Sequence, residues 1–145
     1  MAIDRQGNGL AIIRMFLGVF FIFEGLSKYE WFASTSILAG QFHQWLQAAA
    51  PGSLSRWYLE HLAMPGLPVF ARLVPLGEFC SGIALLVGFW TPFFALVAFL
   101  VALNFHVASG AIFKFSFLIN GYGLPVLGAT LGLAIGGVRL PWSIR

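Results

Sequence analysis

Apolar residues along this chain fall in four long runs, and each run has the length of a membrane-crossing helix. A transmembrane helix needs about 20 mostly apolar residues to cross roughly 30 Å of hydrocarbon. The runs cover residues 10–29, 68–89, 92–110 and 118–138. Short breaks separate the last three runs, so these helices should be antiparallel neighbours. The pattern predicts an all-α membrane protein, with residues 1–145 forming one domain built on a bundle of four transmembrane helices.

The segment between the first and second runs has an amphipathic pattern instead. Residues 36–49 place apolar side chains on one helical face and glutamines on the opposite face. Pro51 and Gly52 end this helix, and Ser53 can cap a second short helix over residues 53–63. Helices of this kind lie along a membrane surface, although a lid over the mouth of the bundle is the alternative. We therefore predict one or two short surface helices between the first two spans.

The composition supports a membrane location. The chain is 59% hydrophobic and only 9% charged, with a mean hydropathy of +0.88, whereas soluble domains are about 45–50% apolar and about 25% charged. Its net charge of +3 comes from scattered basic residues, so no basic patch for nucleic acid is expected. Cys80 is the only cysteine, which excludes a disulfide within the chain and a cysteine metal cluster.

Basic residues also suggest an orientation. Four spans place both termini on one side of the membrane, and the short terminal segments there have a higher density of arginines than the other side. The arginines concerned are Arg5, Arg14, Arg139 and Arg145. Because basic loops stay on the cytoplasmic side, we predict that both termini are cytoplasmic.

Several polar side chains lie inside the apolar runs, where a charge costs about 2.5–3.5 kcal/mol on insertion scales. Such residues commonly mark a site. With a rise of about 1.5 Å per residue, six of them fall in the non-cytoplasmic half of the membrane although they come from different spans. They are Glu24, Arg72, Glu78, Asn104, His106 and Asn120. Their common depth predicts a polar pocket that opens to the non-cytoplasmic side.

Glu78 is the most informative member of this set. A carboxylate near the bilayer midplane must be protonated, paired or hydrated. Arg14 and Arg72 are its candidate counter-charges, although an interface anchor or a packing partner is the favoured role of Arg14. Glu24 can pair with Lys28, four residues later on the same helix.

His106 and Asn104 do not face one pocket equally well. They lie about 200° apart around their helix. His106 is therefore either a hydrogen-bonded core residue or a group that transfers protons. His43, His61 and Glu60 have a spacing that does not indicate a metal site, and we expect none.

Small residues and prolines mark the packing of the later spans. Gly128, Gly132 and Gly136 recur every four positions, which gives a flat strip suited to close helix contact inside the bundle or with another protein. Pro75 and Pro125 should bend their helices or release a carbonyl.

Short motifs across nearly the whole chain resemble the DoxX/DoxD family. These are small four-span membrane proteins of bacteria and archaea, and they include the small subunit of thiosulfate:quinone oxidoreductase. The similar residues are Arg14, Gly18, Gly25, Lys28, Gly77, Glu78, Gly82, Gly88, Thr91, Asn104, His106, Gly110, Gly136, Gly137 and Arg139. The chain departs from the family at its end, where Pro141–Arg145 replaces a small acidic ending.

The resemblance implies a subunit of the bacterial or archaeal cytoplasmic membrane, linked to quinone or sulfur redox chemistry and assembled with other membrane or membrane-associated subunits. In this hypothesis Glu78, with Glu24 and His106, handles protons. Arg14, Arg72, Asn104 and Asn120 would line a polar pocket or quinone site, with Asn104 donating to a quinone carbonyl. The alternatives are a structural or assembly subunit without chemistry of its own, and a small transporter.

Overall fold

The computed structural model describes residues 4–144, and the regular structure in this range is helical. The α-helices are α1 (Arg5–Ser27), α2 (Ser36–Ala48), α3 (Leu54–Tyr58), α4 (Leu67–Val87), α5 (Thr91–Ala108), α6 (Phe115–Leu118) and α7 (Leu124–Gly136). A π-helical turn at Leu59–Ala63 continues α3, and 3₁₀ turns lie at Tyr29–Phe32 and Ala111–Phe113.

Within residues 4–144, three helices are long and apolar enough to cross a membrane. They are α1 with 23 residues, α4 with 21 and α5 with 18, and they confirm the first three predicted runs. The Asp4 carboxylate caps α1 by accepting a hydrogen bond from the Gly7 N–H at 2.9 Å. Helix α4 contains Pro75 in its interior and ends at Val87, followed by the capping residue Gly88, whose φ of +77° favours glycine.

The fourth run differs from the prediction, because no continuous helix forms over residues 118–138. Helix α7 has 13 residues, or about 20 Å of length. A turn precedes it, in which Asn120 accepts hydrogen bonds from the Tyr122 N–H and the Gly123 N–H at 2.9 Å each. Pro125 lies in the first turn of α7, where its missing N–H costs nothing. The expected bend at Pro125 is therefore wrong, since this proline begins a helix.

Glycines bring α1 and α4 into backbone contact. A Cβ atom added to Gly18 would lie 2.6 Å from the Leu86 nitrogen, and one added to Gly25 would lie 2.7 Å from the Phe79 nitrogen. No side chain fits in these gaps, so small residues permit the close approach. On its other side α4 packs against α5, and α5 packs against α7.

The segment formed by residues 36–63, here called the covering segment, packs over one end of the bundle. Leu38, Phe42 and Leu59 are buried in it and join a cluster with Trp31 and Ala108. The Trp45 ring meets the Phe105 ring of α5 edge-on at 5.3 Å. Part of the apolar face of the predicted surface helices is thus placed against protein, as expected of a lid, whereas Ile37, Leu54, Trp57 and Leu62 are exposed.

The glycine strip of α7 faces away from the rest of the described chain. No described neighbour lies within 4 Å of a Cβ atom built on Gly128, Gly132 or Gly136. Packing of this strip inside the bundle is therefore wrong, and contact with another protein or with lipid is the alternative that remains.

Candidate functional site

A small cavity lies where the covering segment meets α1, α4 and α5. Its polar lining comes from Lys28, Tyr58, Glu78 and Asn104, and the rest of its wall is mainly aromatic and aliphatic. The cavity volume is about 30 Å³, which is room for about two water molecules. The site therefore combines a few convergent polar groups with an apolar wall, as ligand sites do.

Lys28 joins two carboxylates at this cavity. Its Nζ lies 2.7 Å from Glu78 Oε2 and 2.9 Å from Glu24 Oε2, and it donates to the Glu24 carbonyl at 3.0 Å. Glu24 and Lys28 share one face of α1 because they are four residues apart, with the acid first. Glu78 reaches them from α4 and is 1% exposed, whereas the Glu24 side chain is 34% exposed. We call these three residues the ion triad.

The two predicted counter-charges of Glu78 are wrong. Arg14 lies on α1 about 21 Å from Lys28 at the rise of a helix, so it is at the opposite end of the bundle. Arg72 is exposed and donates to the Pro68 carbonyl of its own helix at 2.8 Å. Lys28 contacts Glu78 as well as Glu24, a pairing that the sequence did not indicate, because Lys28 falls at the edge of its predicted span and Glu78 near the middle of its own.

Arg14 is neither a wall of the polar pocket nor an interface anchor. Its side chain is fully buried and holds the C-terminal segment, donating to Ser143 Oγ at 2.6 Å and to the Trp142 carbonyl at 2.8 Å. The guanidinium fills the space where a Cβ atom of Gly88 would lie. These contacts bring the end of the chain back to the end of the bundle where α1 begins.

Tyr58 is a site residue that the sequence reasoning missed. Its hydroxyl donates a hydrogen bond to Asn104 Oδ1, which links the covering segment to α5 across the cavity. Burial raises the pKa of the Tyr58 hydroxyl above the ordinary value of 10.0, so the group remains a donor at neutral pH. Because Oδ1 is engaged, the donor end of the Asn104 amide, Nδ2, is left for other partners.

His106 and Asn120 lie outside the cavity. His106 is fully buried, its Nε2 lies 3.0 Å from the Tyr122 carbonyl, and its ring meets the Phe117 ring at 5.0 Å. It thus supports the turn before α7, and Asn120 stabilises the same turn. Of the six residues expected to converge, Glu78 and Asn104 line the cavity and Glu24 contacts it through Lys28, whereas Arg72, His106 and Asn120 lie elsewhere.

A family model named DoxX matches residues 9–110. The chain belongs to the DoxX family. The matched region contains every polar residue of the cavity and ends before α6, so α7 and the C-terminal segment of this DoxX protein lie outside it. No curated protein and no solved structure matches the chain. With its apolar helices, the family assignment makes this a multi-pass membrane protein.

Proposed function

We propose that this DoxX protein is the membrane subunit of a larger complex in a bacterial or archaeal cytoplasmic membrane, and that its cavity exchanges protons with a quinone. The observation that carries the proposal is the ion triad, in which Lys28 and the buried Glu78 line the cavity and Lys28 also contacts the partly exposed Glu24. Quinone reduction consumes protons as well as electrons. Electrons would come from a partner subunit.

The triad residues would divide the proton transfer between them. Glu24 is partly exposed and would take up the proton, and the buried Glu78 would deliver it at the cavity. Lys28 would stabilise each carboxylate while it is ionised. Asn104 Nδ2 would donate a hydrogen bond to a carbonyl oxygen, since Tyr58 engages its other end. His106 has no part in this proposal because it lies outside the cavity.

The small volume of the cavity means that the proposal requires a movement of the protein when a quinone binds. About 30 Å³ does not accommodate a quinone ring, so the covering segment would move aside when the ring enters. The Tyr58–Asn104 hydrogen bond is the polar contact that such a movement would break. A closed cavity in the absence of substrate would keep the buried carboxylate away from bulk water.

The proposal is tested by replacing Glu78 in the native complex. Glu78→Gln keeps the shape of the side chain but cannot release a proton, so we expect quinone-linked turnover to fall at least about tenfold and its pH dependence to change. Glu60→Gln is the matched control, because Glu60 is an exposed acid on the covering segment, paired with Arg56. An unchanged rate and pH profile for Glu78→Gln would exclude the proton role.

A structural or assembly subunit is the second candidate function. It is favoured by the outward glycine strip of α7, which leaves a flat helix face for another transmembrane helix. Purification of the native complex separates the two functions. A stoichiometric partner with its own cofactors, and no quinone in the complex at this chain's cavity, would favour the structural function. A small transporter is the third alternative and would draw support from helices broken at Pro75 and Pro125, but Pro125 lies in the first turn of α7 and breaks no helix.

We also propose that the chain crosses the membrane four times, with both termini in the cytoplasm. Support comes from the return of the C-terminal segment to Arg14 and from the Ile144 N–H, which donates to the Val87 carbonyl at 3.0 Å. Helix α7 therefore runs back along α5 to the starting end of the bundle. Helix α7 has only 13 residues, so α6 and the turn that joins it to α7 would complete the crossing.

A further inference from the structure

A second cavity lies between the end of α5 and the covering segment, away from the ion triad. Its volume is about 230 Å³, so it holds far more than one water molecule. Its polar lining comes from Ser53, Ser55, Ser109 and Lys114. Among the described residues that line it, none is acidic. Lys114 therefore gives the lining of this cavity a positive charge.

Ser55 is the feature that indicates a ligand. The residue is 3% exposed, and its hydroxyl has no hydrogen-bond partner within the described chain. A buried hydroxyl without a partner costs free energy, and native structures generally satisfy such groups. The Ser53 hydroxyl accepts from the Arg56 N–H at 3.2 Å and so retains its own proton for donation. The cavity thus offers two hydroxyl donors and one ammonium group.

The cavity lies at the depth of lipid head groups. Helix α5 has 18 residues, or about 27 Å, which is close to the roughly 30 Å of hydrocarbon that it must cross. The segment that follows α5 and contains Lys114 should therefore lie at the interface. Phe113 and Phe115, on either side of Lys114, are 63% and 77% exposed, as expected of side chains that contact acyl chains.

We propose that this cavity binds a phosphate group, with Ser55 Oγ donating a hydrogen bond and Lys114 Nζ supplying the positive charge. An anionic phospholipid and free inorganic phosphate share this chemistry. The site is independent of the quinone proposal, because none of its polar residues belongs to the first cavity. An acid-free cavity with an unpartnered donor suits an acceptor-only group, since an oxyanion satisfies every donor that it meets.

Thermal unfolding of the purified full chain in a neutral detergent tests the proposal. One arm adds short-chain phosphatidylglycerol and another adds inorganic phosphate at constant ionic strength. At about 100 times the dissociation constant, we expect the midpoint to rise by roughly 5–10 °C. A rise with the lipid alone identifies a lipid head group as the occupant, and a rise with both identifies the phosphate group itself.

Variants of the lining residues test whether a rise in the unfolding midpoint comes from binding in this cavity. Lys114→Gln and Ser55→Ala should each weaken binding by about tenfold, because each removes one contact to a charged group, and Lys114→Arg should restore it. Arg56→Gln is the control, since it removes an equal charge from the covering segment outside this cavity. No rise in the wild type, or the same weakening in Arg56→Gln as in Lys114→Gln, would overturn the proposal.

The unliganded protein gives a second, independent measurement. If the Ser55 hydroxyl is unsatisfied without ligand, Ser55→Ala should unfold at the same temperature as the wild type or at a higher one. With the ligand bound, the wild type should unfold at a higher temperature than Ser55→Ala. A Ser55→Ala protein that is less stable than the wild type by the same amount with and without phosphate would show that the hydroxyl has a structural partner, and it would contradict the proposal.

Discussion

At the scale of single residues, the ion triad couples two helices through one ammonium group. Lys28 contacts carboxylates from α1 and α4 at 2.9 Å and 2.7 Å. The two acids are not equivalent, because Glu78 is 1% exposed and the Glu24 side chain is 34% exposed. Bulk water can therefore replace Lys28 as a partner of Glu24 much more readily than as a partner of Glu78. The Lys28–Glu78 contact should dominate the energetics of the triad.

Replacement of Lys28 tests this asymmetry. Lys28→Met leaves Glu78 buried without a cation, and loss of one partner of a buried pair costs about 3–5 kcal/mol. The double variant Lys28→Met with Glu78→Gln should recover much of that stability. The free energy of unfolding in detergent, measured across the full mutant cycle, gives the coupling. Additive effects of the two changes would contradict a direct Lys28–Glu78 interaction.

Gly88 is a second position where a single residue should matter. Its φ of +77° disfavours other residues, and the Arg14 guanidinium fills the space for a Cβ atom. Gly88→Ala should therefore cost about 2 kcal/mol or more and release the C-terminal segment, detected as faster proteolysis of the chain end. Gly9→Ala is the control, because no residue that the structure describes lies within 4 Å of its added Cβ. Equal stability of Gly88→Ala and Gly9→Ala would contradict the tight packing of the Arg14 guanidinium against Gly88.

At the scale of elements, the covering segment differs from the helices beneath it. It is held by one apolar cluster and by the Tyr58–Asn104 hydrogen bond, whereas α1 and α4 touch through their backbones. Elements with fewer buried contacts open at lower free energy. The covering segment is thus the part of the molecule best suited to admit a ligand to the cavity.

The pH dependence of stability should report this hydrogen bond. The pKa of Tyr58 is raised in the folded protein by burial, so its contribution is complete below the ordinary value of 10.0. That contribution is lost as the pH rises through the folded pKa, because the unfolded tyrosine ionises first. Tyr58→Phe should be less stable by about 1 kcal/mol at pH 8.

Thermal unfolding of both proteins from pH 8 to about pH 11 measures the effect. The difference between wild type and Tyr58→Phe isolates this one hydroxyl, since the other tyrosines are common to both. The difference should shrink as the pH rises above the ordinary tyrosine value. A difference that stays constant over the whole range would show that Tyr58 contributes packing alone.

At the scale of the whole molecule, the contacts define two ends. Arg14, Gly88 and Ser143 meet at one end, and the covering segment and the cavity lie at the other. Only α1 crosses the membrane between the start of that helix and the covering segment, so these two parts lie on opposite sides. The proposed topology then places the cavity on the outer half of the membrane and the chain termini in the cytoplasm.

Single-cysteine labelling in intact cells tests this arrangement. In a Cys80→Ser background, Pro51→Cys should react with a membrane-impermeant maleimide, and Ile144→Cys should react only after the cells are opened. Both residues are exposed. Labelling of both from outside would contradict the return of α7 through the membrane, and a reversed pattern would contradict the cytoplasmic termini alone.

The sequence predicted those parts of the fold that depend on local pattern. Three spans follow from hydropathy, and the pairing of Glu24 with Lys28 follows from helical spacing. The break at residues 119–123 was missed because averaging over an apolar run hides a short turn. The Lys28–Glu78 contact depends on the rotation of α1 against α4, which neither helix specifies alone. The Tyr58–Asn104 bond depends on the path of the covering segment, and hydropathy does not give that path.

The backbone contact between α1 and α4 restricts where insertions can be accepted during the evolution of this protein. Gly18 and Gly25 fix the two helices in one register, and Lys28 follows within the next turn. An inserted residue between Gly25 and Lys28 would rotate the ammonium by about 100° and separate it from Glu78. Insertions should therefore accumulate in the covering segment and in the turn before α7, whereas the length of chain from Gly18 to Lys28 should remain constant among working relatives.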